Sequence, residues 1–135
     1  MSIGIGDPWA RSAVAGSLEA GGFLTLTNRG GTADRLIAAS SPLAGSVELR
    51  GIKVIGSGMA MRRLERGVPL PAGTTITLRP RGYHLLLQEL KSPLAEGQRI
   101  AVSLTFERAD RRDIELIVRA LGPIGNATLS EGQPG

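Results

Sequence analysis

Hydrophobic positions in this chain recur at every second residue, in short runs broken by glycine and proline. In "GGFLTLTN" (21–28) Leu24 and Leu26 alternate with Thr25 and Thr27. That is period two in β-favouring residues, and it predicts a strand. "NRGGTADR" then reads as a turn, and "DRLIAASSP" (34–42) as a strand that loses its pattern before Pro42. "GSVELRGIKV" (45–54) sets Val47 and Leu49 on one face and Glu48, Arg50 and Ile52 on the other. "GSGMAMRRLERG" (56–67) is bounded by glycine at both ends. Its shortness favours a strand over a helix, with Met59 and Met61 at positions of the same parity. "VPLPAGTTITLRPRG" reads as a proline turn and then a strand over Thr74–Leu78, followed by "YHLLLQEL" (83–90). Two further strands alternate cleanly. One carries Ile100, Val102, Leu104 and Phe106 in 99–108; the other carries Ile114, Leu116 and Val118 in 111–120. Ala109–Asp110 between them is a hairpin signal.

No stretch sustains a helical period over about a dozen residues. Short strands at roughly ten-residue spacing predict an all-β domain, an antiparallel β-sandwich over 1–120. The tail 121–135, "LGPIGNATLSEGQPG", is rich in Gly, Pro and polar residues and is expected to be loose. There is no internal repeat and no second domain.

Composition narrows the chemistry. Of the 135 residues 41% are apolar but only 3% aromatic, so the core has to be built from Leu, Ile, Val and Ala. The absence of Cys removes disulfides, thiolate metal sites and thiol catalysis. Net charge is +4, and the basic residues are arginines apart from Lys53 and Lys91. Nucleic-acid binding would want aromatic stackers among those arginines, and the chain has too few. No window is apolar for long enough to span a membrane. Met1–Asp7 does not read as a signal peptide.

An enzymatic reading fails for want of a nucleophile. His84 could serve as a base, but no G-x-S-x-G elbow accompanies it. Glu48, Glu65, Glu89, Glu107 and Glu115 read as outward positions on strands and turns, and no carboxylate cage for a hard metal is visible. Soft donors remain: Met1, Met59, Met61 and the single histidine, His84. Thioether and imidazole together suit copper(I). Each also has an ordinary structural use, methionine as core filler and histidine as a satisfied strand residue.

"DPWAR" (7–11), "GGFLTLTNRGGTADRLIAASSPLAGSVELR" (21–50) and "MAMRRLERGVPLPAGTTITLRPRGYHLLLQELKSPLAEGQRIAVSLTFER" (59–108) resemble the periplasmic copper chaperone family PCu(A)C (DUF461) across residues 3–119. The resemblance implies a cupredoxin-like or immunoglobulin-like Greek-key β-sandwich. It also implies an exported protein that carries Cu(I) in the periplasm. Its partner would be a copper-receiving oxidase subunit or an assembly protein of the oxidase copper centre. The family's metal motif is His (or Met), ten residues, Met, about twenty-two residues, then H-x-M.

Carried onto this chain, that motif is half present. Arg50 stands in "VELR" where the family has histidine, Met61 and His84 fall at their family positions, and Leu86 replaces the last methionine. A guanidinium offers no lone pair and leucine no donor atom. The resemblance thus implies a site of His84 and Met61, with Met59 as a substitute thioether and Arg50 intruding. A guanidinium about 4 Å from a bound cation, at an effective dielectric of about 20, would repel it by on the order of 4 kcal/mol. Two functions are therefore expected: a copper(I) chaperone-type protein with weakened binding, or a divergent member that acts as an interaction or anion-binding module near Arg50. Arg62, Arg63, Arg79 and Arg81 lie close in sequence to the lost ligands and motivate the second.

Overall fold

A computed structural model describes residues 3–12, 16–55, 58–80 and 82–119, the side chains of 52–61 excepted. The described chain is all strand and turn. The strands are β1 (Ile3–Ser12), β2 (Ala20–Asn28), β3 (Asp34–Ser40), β4 (Ala44–Ile55), β5 (Gly58–Arg63), β6 (Val68–Leu70), β7 (Thr75–Leu78), β8 (His84–Leu90), β9 (Arg99–Phe106) and β10 (Arg112–Val118). The backbone of 58–63 is extended, as its length and flanking glycines predict. Met1, Arg81 and the tail 121–135 lie outside the described residues.

Two strands escape the period-two pattern. β1 contains Gly4, Gly6, Asp7 and Pro8, residues that mark turns in sequence. β6 is Val68-Pro69-Leu70, whose sequence reads as a proline turn. Pro69 is tolerated because β6 ends the sheet and pairs only with β3 among the described residues, so its missing N–H interrupts no central ladder.

The sheet runs β5-β4-β8-β2-β1-β10-β9-β3-β6, with β7 on β2. A further β3–β4 bridge at Ala39 and Val47 closes it into a ring of seven strands: β4, β8, β2, β1, β10, β9 and β3. The wholly antiparallel sandwich expected from the turns needs correction here. β1 and β10, the outermost strands of the chain, pair in parallel through Trp9↔Ile117 and Ala10↔Val118. Parallel neighbours need a long connection, and here everything between them supplies it. No local turn signal announces such a pair.

Inward positions follow the alternation. Ile100, Val102, Leu104, Phe106, Leu116 and Val118 are buried with Leu24, Leu26, Leu49, Leu85 and Leu87. Leucines dominate because the chain has few aromatic rings to fill the ring of strands.

A bulge in β1 decides what lies outside. The β1–β2 register steps from Gly6↔Thr25 to Trp9↔Phe23, so an extra residue sits in β1 at Asp7–Pro8. Asp7 has φ 45°. The inserted residue flips the facing of the rest of the strand. Ile3 is buried before the bulge, and Ala10 takes the buried role after it. Trp9 is turned to the outer face, its ring centroid 4.5 Å from that of Phe23. Arg119 packs its guanidinium 4.5 Å from the Trp9 ring centroid and donates to the Asp7 carboxylate at 2.8 Å.

The β9–β10 connection is anchored by a buried acid that the hairpin signal does not reveal. Asp34 is 4% exposed. Its Oδ1 accepts from the N–H groups of Arg35 and Arg108, each at 2.8 Å, and its Oδ2 from Ala109 N–H at 3.0 Å. Removing the carboxylate strands donors in a dry environment, at about 1–3 kcal/mol for each one left unsatisfied. Asp34→Ala is expected to lower unfolding free energy by about 3 kcal/mol. Urea titration with fluorescence of Trp9, the only tryptophan, reads this directly. A loss below about 1 kcal/mol would show that the loop is held by other means.

Candidate metal centre

Six strands contribute one lateral row to the outer face. Ile117 on β10 pairs Trp9 on β1, which pairs Phe23 on β2. Gly22↔Leu85 sets β2 against β8, so Phe23 flanks His84, with ring centroids 6.2 Å apart. His84 on β8 pairs Arg50 on β4, and Arg50 pairs Arg63 on β5. Directly opposed residues share a face with Cβ atoms about 5 Å apart. Position 50 and His84 are thus immediate neighbours, although 34 residues separate them in sequence (84 − 50).

The remaining candidates fall around this pair. Leu86 opposes Glu48, two residues before Arg50. Met61 opposes Ile52, two residues after Arg50, and Met59 opposes Val54. By backbone register, then, positions 50, 61, 84 and 86 fall along one stretch of β5, β4 and β8, with Met59 two residues further along. The side chains of Met59 and Met61 lie outside the described residues.

His84 is held in a defined state. It is 4% exposed. Its Nδ1 lies 3.0 Å from the carbonyl oxygen of Gly82. A carbonyl only accepts, so Nδ1 carries a proton, and in the neutral ring the lone pair lies on Nε2. The carbonyl is presented by a tight turn that Arg79 and Tyr83 close: Arg79 N–H donates to Tyr83 O at 2.8 Å, and Gly82 N–H donates to Arg79 O at 2.9 Å. An imidazole held through one nitrogen by a backbone carbonyl is oriented for ligation through the other.

Arg50 does not present a bare charge to this imidazole. Its Nε donates to Glu48 Oε1 at 2.8 Å, and a terminal nitrogen contacts the same oxygen. Arg63 reaches Glu48 Oε2 at 3.8 Å and Glu65 Oε1 at 3.4 Å. The side chains of Glu48 and Arg50 are each 23% exposed, so this pairing is shielded from solvent more than an ordinary surface ion pair. The repulsion of about 4 kcal/mol expected for an isolated guanidinium is therefore an overestimate here, since an anion lies against it. In sequence Glu48 is one of several outward acids. In the structure it is the hub joining two arginines, and its i, i+2 spacing to Arg50 on one strand face was the signal available.

Among the described residues no three carboxylate, imidazole or thiol side chains come together as a metal cage. Nor, among the described residues, is there a helix long and apolar enough to cross a membrane.

Comparison with known proteins agrees with this architecture. Residues 3–118 match the family model described as "Putative lipoprotein LpqE-like". A protein of Leifsonia xyli subsp. xyli, "Putative lipoprotein Lxx21020", is 29% identical over 117 residues, which is 87% of this chain and 69% of that protein. The copper-bound PCuAC domain from PmoF2 superposes with a TM-score of 0.73 at 27% identity, covering 89% of this chain and 94% of that domain. The apo PCuAC domain from PmoF1 gives 0.74 at 28% identity, covering 89% and 95%. The solution structure of Cu(I)-bound DR1885 from Deinococcus radiodurans gives 0.65 at 27% identity, covering 88% and 77%. An all-β ring that matches PCuAC domains over most of its length, together with a family match from its first described residue to the end of β10, places the chain: it belongs to the LpqE-like family, a PCu(A)C-type group.

Proposed function

We propose that this protein is a copper(I)-binding, chaperone-type carrier of the bacterial cell envelope whose grip on the ion is weaker than a complete four-ligand site would give. The observation that carries the reading is the state of His84. Its Nδ1 faces the Gly82 carbonyl, which in the neutral ring leaves the lone pair on Nε2, and it stands beside position 50 in register. The likeness to a copper-bound PCuAC domain supports copper as the cargo. His84 and Met61 are the proposed donors, with Met59 supplying a second thioether in place of the one lost at Leu86. Imidazole and thioether favour the monovalent ion, which accepts low coordination numbers. A site short of ligands also yields its ion more readily, which suits handing copper to a receiving oxidase subunit or an assembly protein. The reading takes in a periplasmic location, a non-catalytic role, a domain over 1–120 and the cupredoxin-like, Greek-key description of the sandwich.

Arg50 and Leu86 favour a second reading, in which the ion is no longer carried and the rim serves as an interaction or anion-binding surface. The Glu48 contacts weaken the version centred on Arg50, because that guanidinium already has its anion.

Titration of Cu(I) against a chromophoric chelator separates the two. The wild-type protein is expected to draw one equivalent from a weak chelator, and His84→Ala to draw none. Complete indifference of the wild type to copper would overturn the carrier reading. Rebuilding the lost positions with R50H and L86M together should tighten binding by about 100-fold or more, equivalent to about 2.7 kcal/mol. No gain in that double variant would count against the mapping of positions 50 and 86 onto the site.

Glu48→Gln isolates the electrostatic part. It leaves Arg50 and Arg63 without their shared anion, and should weaken Cu(I) by about tenfold. Unchanged affinity in the same chelator assay would show that the guanidinium charges do not reach the ion.

A further inference from the structure

The charge left over at this end of the molecule lies on the other face of β5. Arg62 has the opposite parity to Arg63 and pairs Gly51 on β4. With Arg63, Leu64, Glu65, Arg66, Gly67, Gly51 and Tyr83 it lines an open groove of about 460 Å³. Arg62, Arg63 and Arg66 are exposed, while Tyr83 and Leu64 are half-buried. Three guanidinium groups against the one carboxylate of Glu65 leave the lining at net +2 (3 − 1).

The groove is built rather than incidental. Its floor exists because position 51 has no side chain: a Cβ there would come within 3.1 Å of Leu64 Cδ2 and 3.3 Å of Tyr83 Cδ1. Its far wall is a fixed turn. Leu64 N–H donates to Leu49 O at 2.8 Å, and Gly67 N–H donates to Leu64 O at 3.0 Å. Arg35 Nη1 donates to Arg66 O at 3.3 Å. Gly67 has φ 79°, and a Cβ on it would strike the carbonyl of Leu36, so only glycine can make this turn. Arg62 and Arg66 are thus displayed from a prearranged backbone, which lowers the ordering cost of binding.

We infer that this groove receives an extended, acidic segment of a partner protein. Arg62 and Arg66 would engage its carboxylates, and its apolar positions would lie on Leu64 and Tyr83. Two features select a peptide over a small anion. The groove sets the apolar surface of Leu64 and Tyr83 beside its arginines, which a small anion would leave uncovered. It also begins at the C-terminal end of β5, which among the described residues pairs with β4 alone and so offers a sheet edge to a further strand. Carboxylates match the planar fork of arginine in two-point contacts. A second copy of this chain is a poor occupant, since both copies carry +4. None of the groove's described lining residues is a proposed copper donor, although Arg63 also reaches Glu48 beside the His84 row.

The test uses chelator-treated, copper-free protein. A fluorescein-labelled peptide alternating glutamate and valine is titrated, and anisotropy is read at low and at physiological ionic strength. Saturable binding is expected. It should weaken by about tenfold or more when the glutamates are replaced by glutamine, and equally in the Arg62→Glu, Arg66→Glu double variant. A control variant, Arg99→Glu with Arg111→Glu, carries the same charge change at exposed positions outside the groove and should lose less than about threefold. Urea titration confirms that both variants stay folded. Equal losses in the two variants would reduce the effect to bulk charge and overturn the proposal. So would the absence of saturable binding. Binding to phosphatidylglycerol vesicles that the groove variant abolishes, with no peptide binding, would assign the groove to a lipid surface and likewise overturn it. Failure here leaves the copper titration untouched, and the reverse also holds.

Discussion

The register of β4 between β8 and β5 is the constraint on which the candidate site depends. Val47 and Leu49 pack towards the core, with Leu49 4% exposed. Two-residue alternation then commits Glu48 and Arg50 to the outer face. A slip of one residue would bury the charges and expose the leucine, so the hydrophobic face sets the register strongly. Once β4 is fixed, Arg50 must oppose His84 on one side and Arg63 on the other. The charge cluster and the imidazole are neighbours because the core requires it.

Glu48 derives from the same constraint and changes its meaning. Two arginines on one face beside a soft-donor position are, by themselves, hostile to a cation. With Glu48 between them the cluster is much closer to neutral, and the imidazole experiences an ion-pair network rather than a bare charge. A half-shielded pair of this kind is a weak contributor to stability but a strong determinant of where side chains lie. It holds Arg50 along its own strand. His84 and Arg50 thus stand side by side on one face.

Opposite faces of β5 carry different chemistry for equally simple reasons. Arg63 joins the Glu48 cluster and also borders the groove, whereas Arg62, one residue earlier, pairs Gly51 within it.

Sequence alone determined the β character of the chain, the inward sets of β2, β9 and β10, and which soft side chains the chain contains. Each of those is local: a period of two, or a residue type. The family resemblance also grouped positions 50, 61, 84 and 86. Tertiary structure decided the rest. β1 was illegible because its glycines, Asp7 and Pro8 imitate a turn, while its bulge places Trp9 beside Phe23 only once β2 is alongside. The parallel β1–β10 pair joins residues more than a hundred apart, and no local pattern encodes such a contact. Asp34 reads as an ordinary turn acid, and only the folded loop brings the N–H groups of Arg108 and Ala109 to it. The tautomer of His84 and the pairing of Arg50 with Glu48 depend on directions in space. A one-dimensional pattern names the groups, whereas hydrogen bonds and ion pairs act over a few ångströms, and only the closed sheet sets those distances.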